Sequence, residues 1–343
     1  MKNKILRNML IPGVVAVLAV VIPALLIQIG VIDGYNAQVI TLGGVNAIMA
    51  ISVNMVCGIT GQLSLGQAGF QAIGAYSVIL LCTKLNVPMP LAIVAGGLIA
   101  AFFGFLIGFP TLKLEGDYLA IVTLAFGEII LVVLTNLKNL TGGPNGLQFS
   151  TLFTTSLDYG ALISYLSVIG TLVIIIILLQ NFLRSTYGRA ILSVREDEVA
   201  ANSTGISVFR YKMIGFVIAS FIGGIGGALY APFIGFVKPD LASFNNSINE
   251  LIYVVLGGMG SITGGVVAAF VLTILQEVLR FLKDYRLLIY PVILILVMLF
   301  RPQGLLGNRE LSFVGAFDYF AALIKGKKSS KKAVAKSEEK GVE

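Results

Sequence analysis

Histidine and tryptophan are missing from this 343-residue chain, cysteine occurs only twice, and charged residues make up just 12%. Each shortage excludes something. Without imidazole there is no Ser-His-Asp triad, no histidine metal ligand and no histidine general base. Cys57 and Cys82 lie in uncharged apolar stretches, where a thiol is normally buried and inert, so neither a disulfide framework nor a metal site is expected. The pattern G-x-x-x-x-G-K-[ST] occurs nowhere, which leaves the chain no P-loop with which to hold ATP phosphates. No catalytic residue, metal or cofactor bound by this chain is expected, and a membrane enzyme is disfavoured. Charge at about half the ~25% of an average soluble domain, beside 57% hydrophobic residues, argues against a water-soluble globule.

Glycine is abundant, at 39 residues, and small residues let helix backbones approach closely in lipid. The net charge of +7 would suggest nucleic acid if the basic residues covered a soluble surface. They cluster instead at the ends of apolar runs. Lys325 to Glu343 carries seven lysines against three glutamates, and Asn181 to Met213 carries Arg184, Arg189, Arg195, Arg210 and Lys212. This is the positive-inside pattern of a membrane protein, with the lipid bilayer and no nucleic acid as partner. The Lys-rich tail is compositionally disordered and suited to anionic lipid.

A bilayer core of about 30 Å needs about 20 helical residues, so uncharged runs convert into crossings. Residues 8–32, preceded by Lys2, Lys4 and Arg7, predict an uncleaved first helix with a cytoplasmic N-terminus. Residues 34–83 carry no charge at all and hold two crossings joined by a turn near Gly58 to Gly66. Further crossings fall near Met89 to Phe109, Tyr118 to Leu137, Gly160 to Leu179 and Ile214 to Phe236. The sixth returns the chain to the cytoplasm at Arg184, and the seventh places Lys238 to Asn249 outside. The runs 251–276 and 287–300, read as two simple crossings, would strand the tail outside, so a broken or re-entrant element is expected around Gly257 to Gly265. The fold class is all-α: a polytopic transmembrane helical bundle of about 8–10 membrane segments, with duplicated halves and Gly-rich broken or re-entrant elements.

Two helices repeat small residues every fourth position: Gly96, Ala100, Gly104, Gly108, and Gly215, Ala219, Gly223, Gly227. Such stripes mark helix contacts, within one bundle or between subunits. The interruptions containing Gly61, Gln62, Ser64 and Gln67, and Gly257, Gly258, Gly260 and Ser261, occupy comparable places in the two halves. Paired breaks point to a translocation pathway between duplicated halves; simple helix packing is the alternative for any single glycine. Glu128 lies near mid-membrane, where an acidic side chain costs about 2.5–3.5 kcal/mol. It either lines that pathway or orients a broken helix, or it is a buried carboxyl bonded to the backbone of a neighbouring helix.

The stretch Ser193-Val-Arg195-Glu196-Asp197-Glu198-Val-Ala200-Ala201-Asn202-Ser-Thr-Gly205 is polar. Ser193 with Glu196 has capping-box spacing and Gly205 is a suitable stop, which predicts a short cytoplasmic helix from Glu196 to Thr204. On composition alone it is a solvated loop. The order Glu198-x-Ala200-Ala201-x-x-x-Gly205, however, resembles the E-A-A-x-x-x-G loop of ABC-importer membrane subunits.

The resemblance widens with Gly61-Gln62-Leu-Ser64-Leu-Gly66-Gln67-Ala-Gly69-Phe70, with Asp117-Tyr118 through Gly127-Glu128, and with Thr141-Gly142-Gly143-Pro-Asn145-Gly146-Leu147. It continues through Gly188-Arg189-Ala190, Gly226-Gly227-Ala228-Leu229-Tyr230-Ala231, Leu256-Gly257-Gly258-Met-Gly260-Ser261 and Phe300-Arg301-Pro302-Gln-Gly304-Leu305-Leu306. Over positions 40 to 307 the chain resembles the permease subunits of branched-chain amino acid ABC importers, in their M-type. That resemblance implies a subunit with no ATPase site of its own, in a bacterial or archaeal cytoplasmic membrane with both termini cytoplasmic. It also implies a homologous second permease, two cytoplasmic ABC ATPases that bind the ATP, and an extracytoplasmic substrate-binding protein. Arg195, Glu196, Asp197, Glu198, Ala200, Ala201 and Gly205 would then couple the permease to an ATPase. Residues 1–307 form the expected transmembrane domain, with a cytoplasmic coupling loop at 184–212, and 308–343 a C-terminal cytoplasmic segment. Urea, short amides or another small polar solute are alternative cargoes, and an ion-coupled carrier using Glu128 is the alternative class.

Overall fold

The computed structural model describes residues 20–114, 116–149, 157–301 and 304–305. The start of the expected first span and the whole of 308–343 lie outside them.

Helix dominates because, in hydrocarbon, each backbone N–H and C=O must be satisfied within the protein. After α1 (20–28) come α2 (Gly34–Asn54), a π turn (Met55–Ile59), α3 (Gln67–Lys84), α4 (Met89–Thr111), α5 (Asp117–Asn136) and the short α6 (Lys138–Thr141). They are followed by α7 (Leu157–Arg184), α8 (Thr186–Glu196), α9 (Glu198–Ser203), α10 (Val208–Ile234), α11 (Phe244–Gly257), α12 (Ile262–Val278) and α13 (Arg286–Phe300). Among the described residues, 7 helices are long and apolar enough to cross a membrane, and Leu288–Phe300 is a shorter apolar helix. The protein is an all-α, multi-pass membrane protein. Strand among the described residues is confined to β1 (Leu147–Gln148) and β2 (Phe236–Val237), an antiparallel pair in the register Leu147↔Val237.

Helix α10 is central, packed chiefly on α4 and α3, while α2 packs chiefly on α12. The two small-residue stripes do not face each other. The α4 stripe does meet α10: a Cβ on Gly108 would stand 3.0 Å from Met213 Sδ, and one on Gly104 would overlap Ser220. The stripe on α10 faces the other way, with Gly215 against Thr60, Gly223 against Ser52 and Gly227 against the backbone of Gln71. A helix lined with small residues on two sides can thus be clasped closely by three neighbours at once. Outward from this core, Phe102, Phe105, Ile121 and Leu299 are exposed, as lipid-facing or subunit-facing side chains of a membrane protein are.

Contacts between distant segments sort the helix ends into two groups. At one end Gly58, Arg195 and Gly260 meet, and Leu305 N donates to Leu256 O at 2.6 Å. At the other, β1 pairs with β2 and Arg280 Nη1 donates to Tyr35 OH at 2.7 Å. After α10 the chain therefore traverses three times, in α11, α12 and α13, and finishes at the Arg195 end. The broken element expected around Gly257 to Gly265 is present between α11 and α12, and the described chain ends beside Leu256. Hydropathy alone passes over α11, because its 14 residues extend only about 21 Å and its first turns are polar. The segment leading into it is packed on α3 and α5, while Phe244, its first residue, is exposed.

Candidate functional site

The polar segment after α7 forms two helices, not one. α8 is capped by Ser185, whose Oγ accepts from Gly188 N at 3.3 Å, and runs through Glu196. The cap of α9 is Asp197, whose carboxylate accepts from Val199 N and Ala200 N, each at 2.9 Å. Asp197 has extended backbone geometry and therefore breaks the helix, whereas Ser193 lies inside α8; the expected capping box and the Glu196 start are corrected accordingly. An acidic cap satisfies free N–H groups and suits the helix dipole. Gly205 follows with φ +82°, the left-handed stop expected of it.

Side-chain direction divides the seven expected coupling residues. Ala201 is 2% exposed and turned into the protein, whereas Val199, which the motif leaves unspecified, is 78% exposed. Ala200 and Gly205 are also exposed. Glu198 accepts from the ammonium of Lys212 at 2.6 Å, and Lys212 is itself buried in α10. Arg195 also turns inward: Nη1 donates to Gly58 O at 2.9 Å, while Nη2 faces Glu196 on the exposed side.

That contact leads directly to the two Gly-rich interruptions, which touch. A Cβ on Gly58 would overlap the backbone nitrogen of Gly260. Asn54, at the end of α2, joins them through one side chain: Oδ1 accepts from Gly260 N at 2.8 Å and Nδ2 donates to Ser261 O at 3.0 Å. Ser261 Oγ in turn accepts from Gly264 N at 3.1 Å and caps α12. Gly257 lies against the backbone of Gly264, and Gly258 against Gly304. The structure thus brings Gly257, Gly258, Gly260 and Ser261 together with the Gly58 to Gly61 turn.

The remainder of the first interruption is buried and polar. Gln62, Ser64 and Gln67 are 3%, 2% and 1% exposed. Both amide atoms of Gln62, Ser64 Oγ and Gln67 Nε2 lack a partner among the described residues, although Gln67 Oε1 accepts from Ser52 Oγ at 3.1 Å.

Glu128 lies apart from both groups. Its Oε1 accepts from Phe244 N at 3.0 Å, at the first residue of α11. The carboxyl is partly buried and bonded to the backbone of a neighbouring helix, the short one of the broken pair. Glu250 was not singled out by the sequence, yet it is 5% exposed and its Oε2 has no partner among the described residues. It borders the uncharged run 251–276, and its place on the buried face of α11 with Ser247 and Val254 was the available signal. Cys57 and Cys82 are unpaired and only partly buried, less deeply than expected. Among the described residues no three His, Cys, Asp or Glu side chains converge as a metal site would require.

The family described as branched-chain amino acid transport system, permease component, matches residues 35–300. The chain belongs to this family. The permease is 37% identical over 296 residues to the high-affinity branched-chain amino acid transport system permease protein LivM of Escherichia coli (strain K12), covering 79% of this chain and 70% of that one. To the protein LivH of the same transport system in Salmonella typhimurium it is 26% identical over 294 residues, covering 80% of this chain and 95% of the other. A probable LivM of the archaeon Methanocaldococcus jannaschii is 23% identical over 234 residues, 62% of this chain and 68% of its own. No solved structure matches the permease.

Proposed function

We propose that this permease is one of two homologous membrane subunits of an ATP-driven importer for branched-chain amino acids. One subunit would be this M-type chain and the other its LivH-like relative. The similarity of one chain to both LivM and LivH supports such a pair. Cargo would reach it from an extracytoplasmic binding protein, and ATP would be bound by two cytoplasmic ATPases. The chain would reside in a cytoplasmic membrane with the Arg195 end and both termini facing the cytoplasm, which the basic residues of 184–212 support.

The observation that carries this reading is α9, a helix exposed on one side and tied on the other to two parts of the bundle. Val199, with Ala200 and Ser203, would enter a groove on an ATPase, while Glu198 and Arg195 hold the helix to α10 and to the interruptions. Nucleotide-driven movement of the ATPases would thereby reach the membrane helices. The turn with Gly61, Gln62, Ser64 and Gln67, together with Gly257, Gly258, Gly260 and Ser261, would border the pathway, where unpartnered amides and a hydroxyl suit a small polar solute. Glu128 would act on it through α11. Its engagement as a helix cap weighs against an ion-coupled carrier that depends on it.

Reconstitution of the permease with its homologue, the ATPases and the binding protein in liposomes tests this. Leucine, isoleucine or valine uptake is expected only with ATP and the binding protein. Uptake on an ion gradient without ATP would overturn the reading, and uptake of urea or a short amide instead would change the cargo alone.

A further inference from the structure

Arg195 has been grouped with residues that face an ATPase, but its guanidinium reaches into the membrane domain. The π turn ends at Ile59, so Gly58 O belongs to the last carbonyls that no following helical turn can bond. Arg195 Nη1 fills that need at 2.9 Å, across 137 residues of sequence. Its aliphatic stem lies over the first break, since a Cβ on Gly61, at φ +72°, would stand 2.8 Å from Arg195 Cγ. The same Nη1 covers the second break, at 3.1 Å from the position of a Cβ on Gly260. Asn54 bonds Gly260 and Ser261 from within the bundle, so the two breaks are held together from both sides.

We propose that Arg195 is the positioning residue through which movement of α8 and α9 acts on both interruptions at once. The proposal rests on the transport reading above and assigns the inward limb of the coupling. Lys212 and Glu198 anchor α9 to the body of α10, whereas Arg195 contacts the discontinuous backbone itself. A displacement of α8 by about 1 Å, the scale of helix shifts at interfaces, would break or reorient the bond to Gly58 O. Glu196, on the exposed side, holds the other edge of the guanidinium and keeps the fork directed inward.

The test uses the complete complex in proteoliposomes and measures substrate imported per ATP hydrolysed, with co-purification of the ATPases and thermal unfolding recorded for each variant. Arg195→Met, which keeps the stem and removes the donors, is expected to lower that ratio by about tenfold, within the usual span of coupling effects. Arg195→Lys, which can still donate once to Gly58 O, is expected to recover it to within about threefold. An unchanged ratio in Arg195→Met overturns the proposal, as does an equal fractional loss of import and hydrolysis. Failure of both variants to fold or to retain the ATPases also overturns it, since Arg195 would then serve assembly. A wild-type complex without ATP-dependent import would overturn the transport reading, and this proposal with it; a working wild type with an unaffected variant overturns the proposal alone.

Discussion

The ammonium of Lys212 lies 2.6 Å from the carboxylate of Glu198 and joins the buried start of α10 to the first residue of α9. Lys212 has 8% of its side chain exposed and Glu198 46%, so the pair is neither a surface ion pair nor a fully buried one. Glu198→Gln would leave the lysine short of a counter-charge. Water at the open side of Glu198 limits the expected loss to about 1–2 kcal/mol. Thermal unfolding in detergent measures it, and the double variant with Lys212→Met is expected to be more stable than Glu198→Gln alone, because no buried charge remains.

Glu128 caps α11, and its charge is expected to matter less than its oxygen. Glu128→Gln keeps an acceptor for Phe244 N and forfeits only the dipole contribution, about 0.3–1 kcal/mol. Glu128→Ala removes the cap and should cost about 1 kcal/mol. Amino acid uptake near wild type in the Gln variant and lower in the Ala variant is the expected pattern; abolished uptake in Gln would require a role for the charge.

Asn54 uses both ends of its amide on one peptide segment. Asn54→Leu would remove the acceptor of Gly260 N, at about 1–3 kcal/mol for a buried donor left unpaired. Asn54→Asp keeps the acceptor for Gly260 N but sets a second oxygen against Ser261 O in a buried site, so it should also lose stability. Apparent melting temperatures of both variants are expected to lie below that of the wild type.

On α9 the exposed and buried positions give opposite outcomes. Cysteine at Ser203, which is exposed, should crosslink to an ATPase groove, while cysteine at Ala201, 2% exposed, should not. Val199→Asp is expected to reduce co-purification of the ATPases by about tenfold, the effect of about 1.4 kcal/mol, and to leave the melting temperature of the isolated permease unchanged. Crosslinking at Ala201 with none at Ser203 would reverse the assigned face.

The long apolar helices were legible because span length is fixed by bilayer thickness, and both breaks were legible because glycine runs between such helices have few other uses. Side-chain direction on α9 was not. The motif specifies Glu198 and Ala201, yet both turn toward the bundle, and the exposed Val199 is the position the motif leaves open. Asn54 was also passed over, as one neutral residue in 50 uncharged positions, because a side-chain amide reveals its role only when its partners arrive from elsewhere in the chain. The extra pass after α10 was hidden for a related reason: α11 has only 14 residues, and its first turn holds Asn245, Asn246 and Ser247.

The meeting of Gly58 with Gly260 also sets an order of events during synthesis. Asn54 and the Gly260 N–H that it receives are separated by 206 residues, which at 5–20 residues per second is an interval of roughly 10–40 seconds on the ribosome. Through that interval the first break must wait in the membrane with its polar groups unmatched by the second, and Arg195 is made before Gly260. Of the two clasps on Gly58, the arginine is therefore available before the second break.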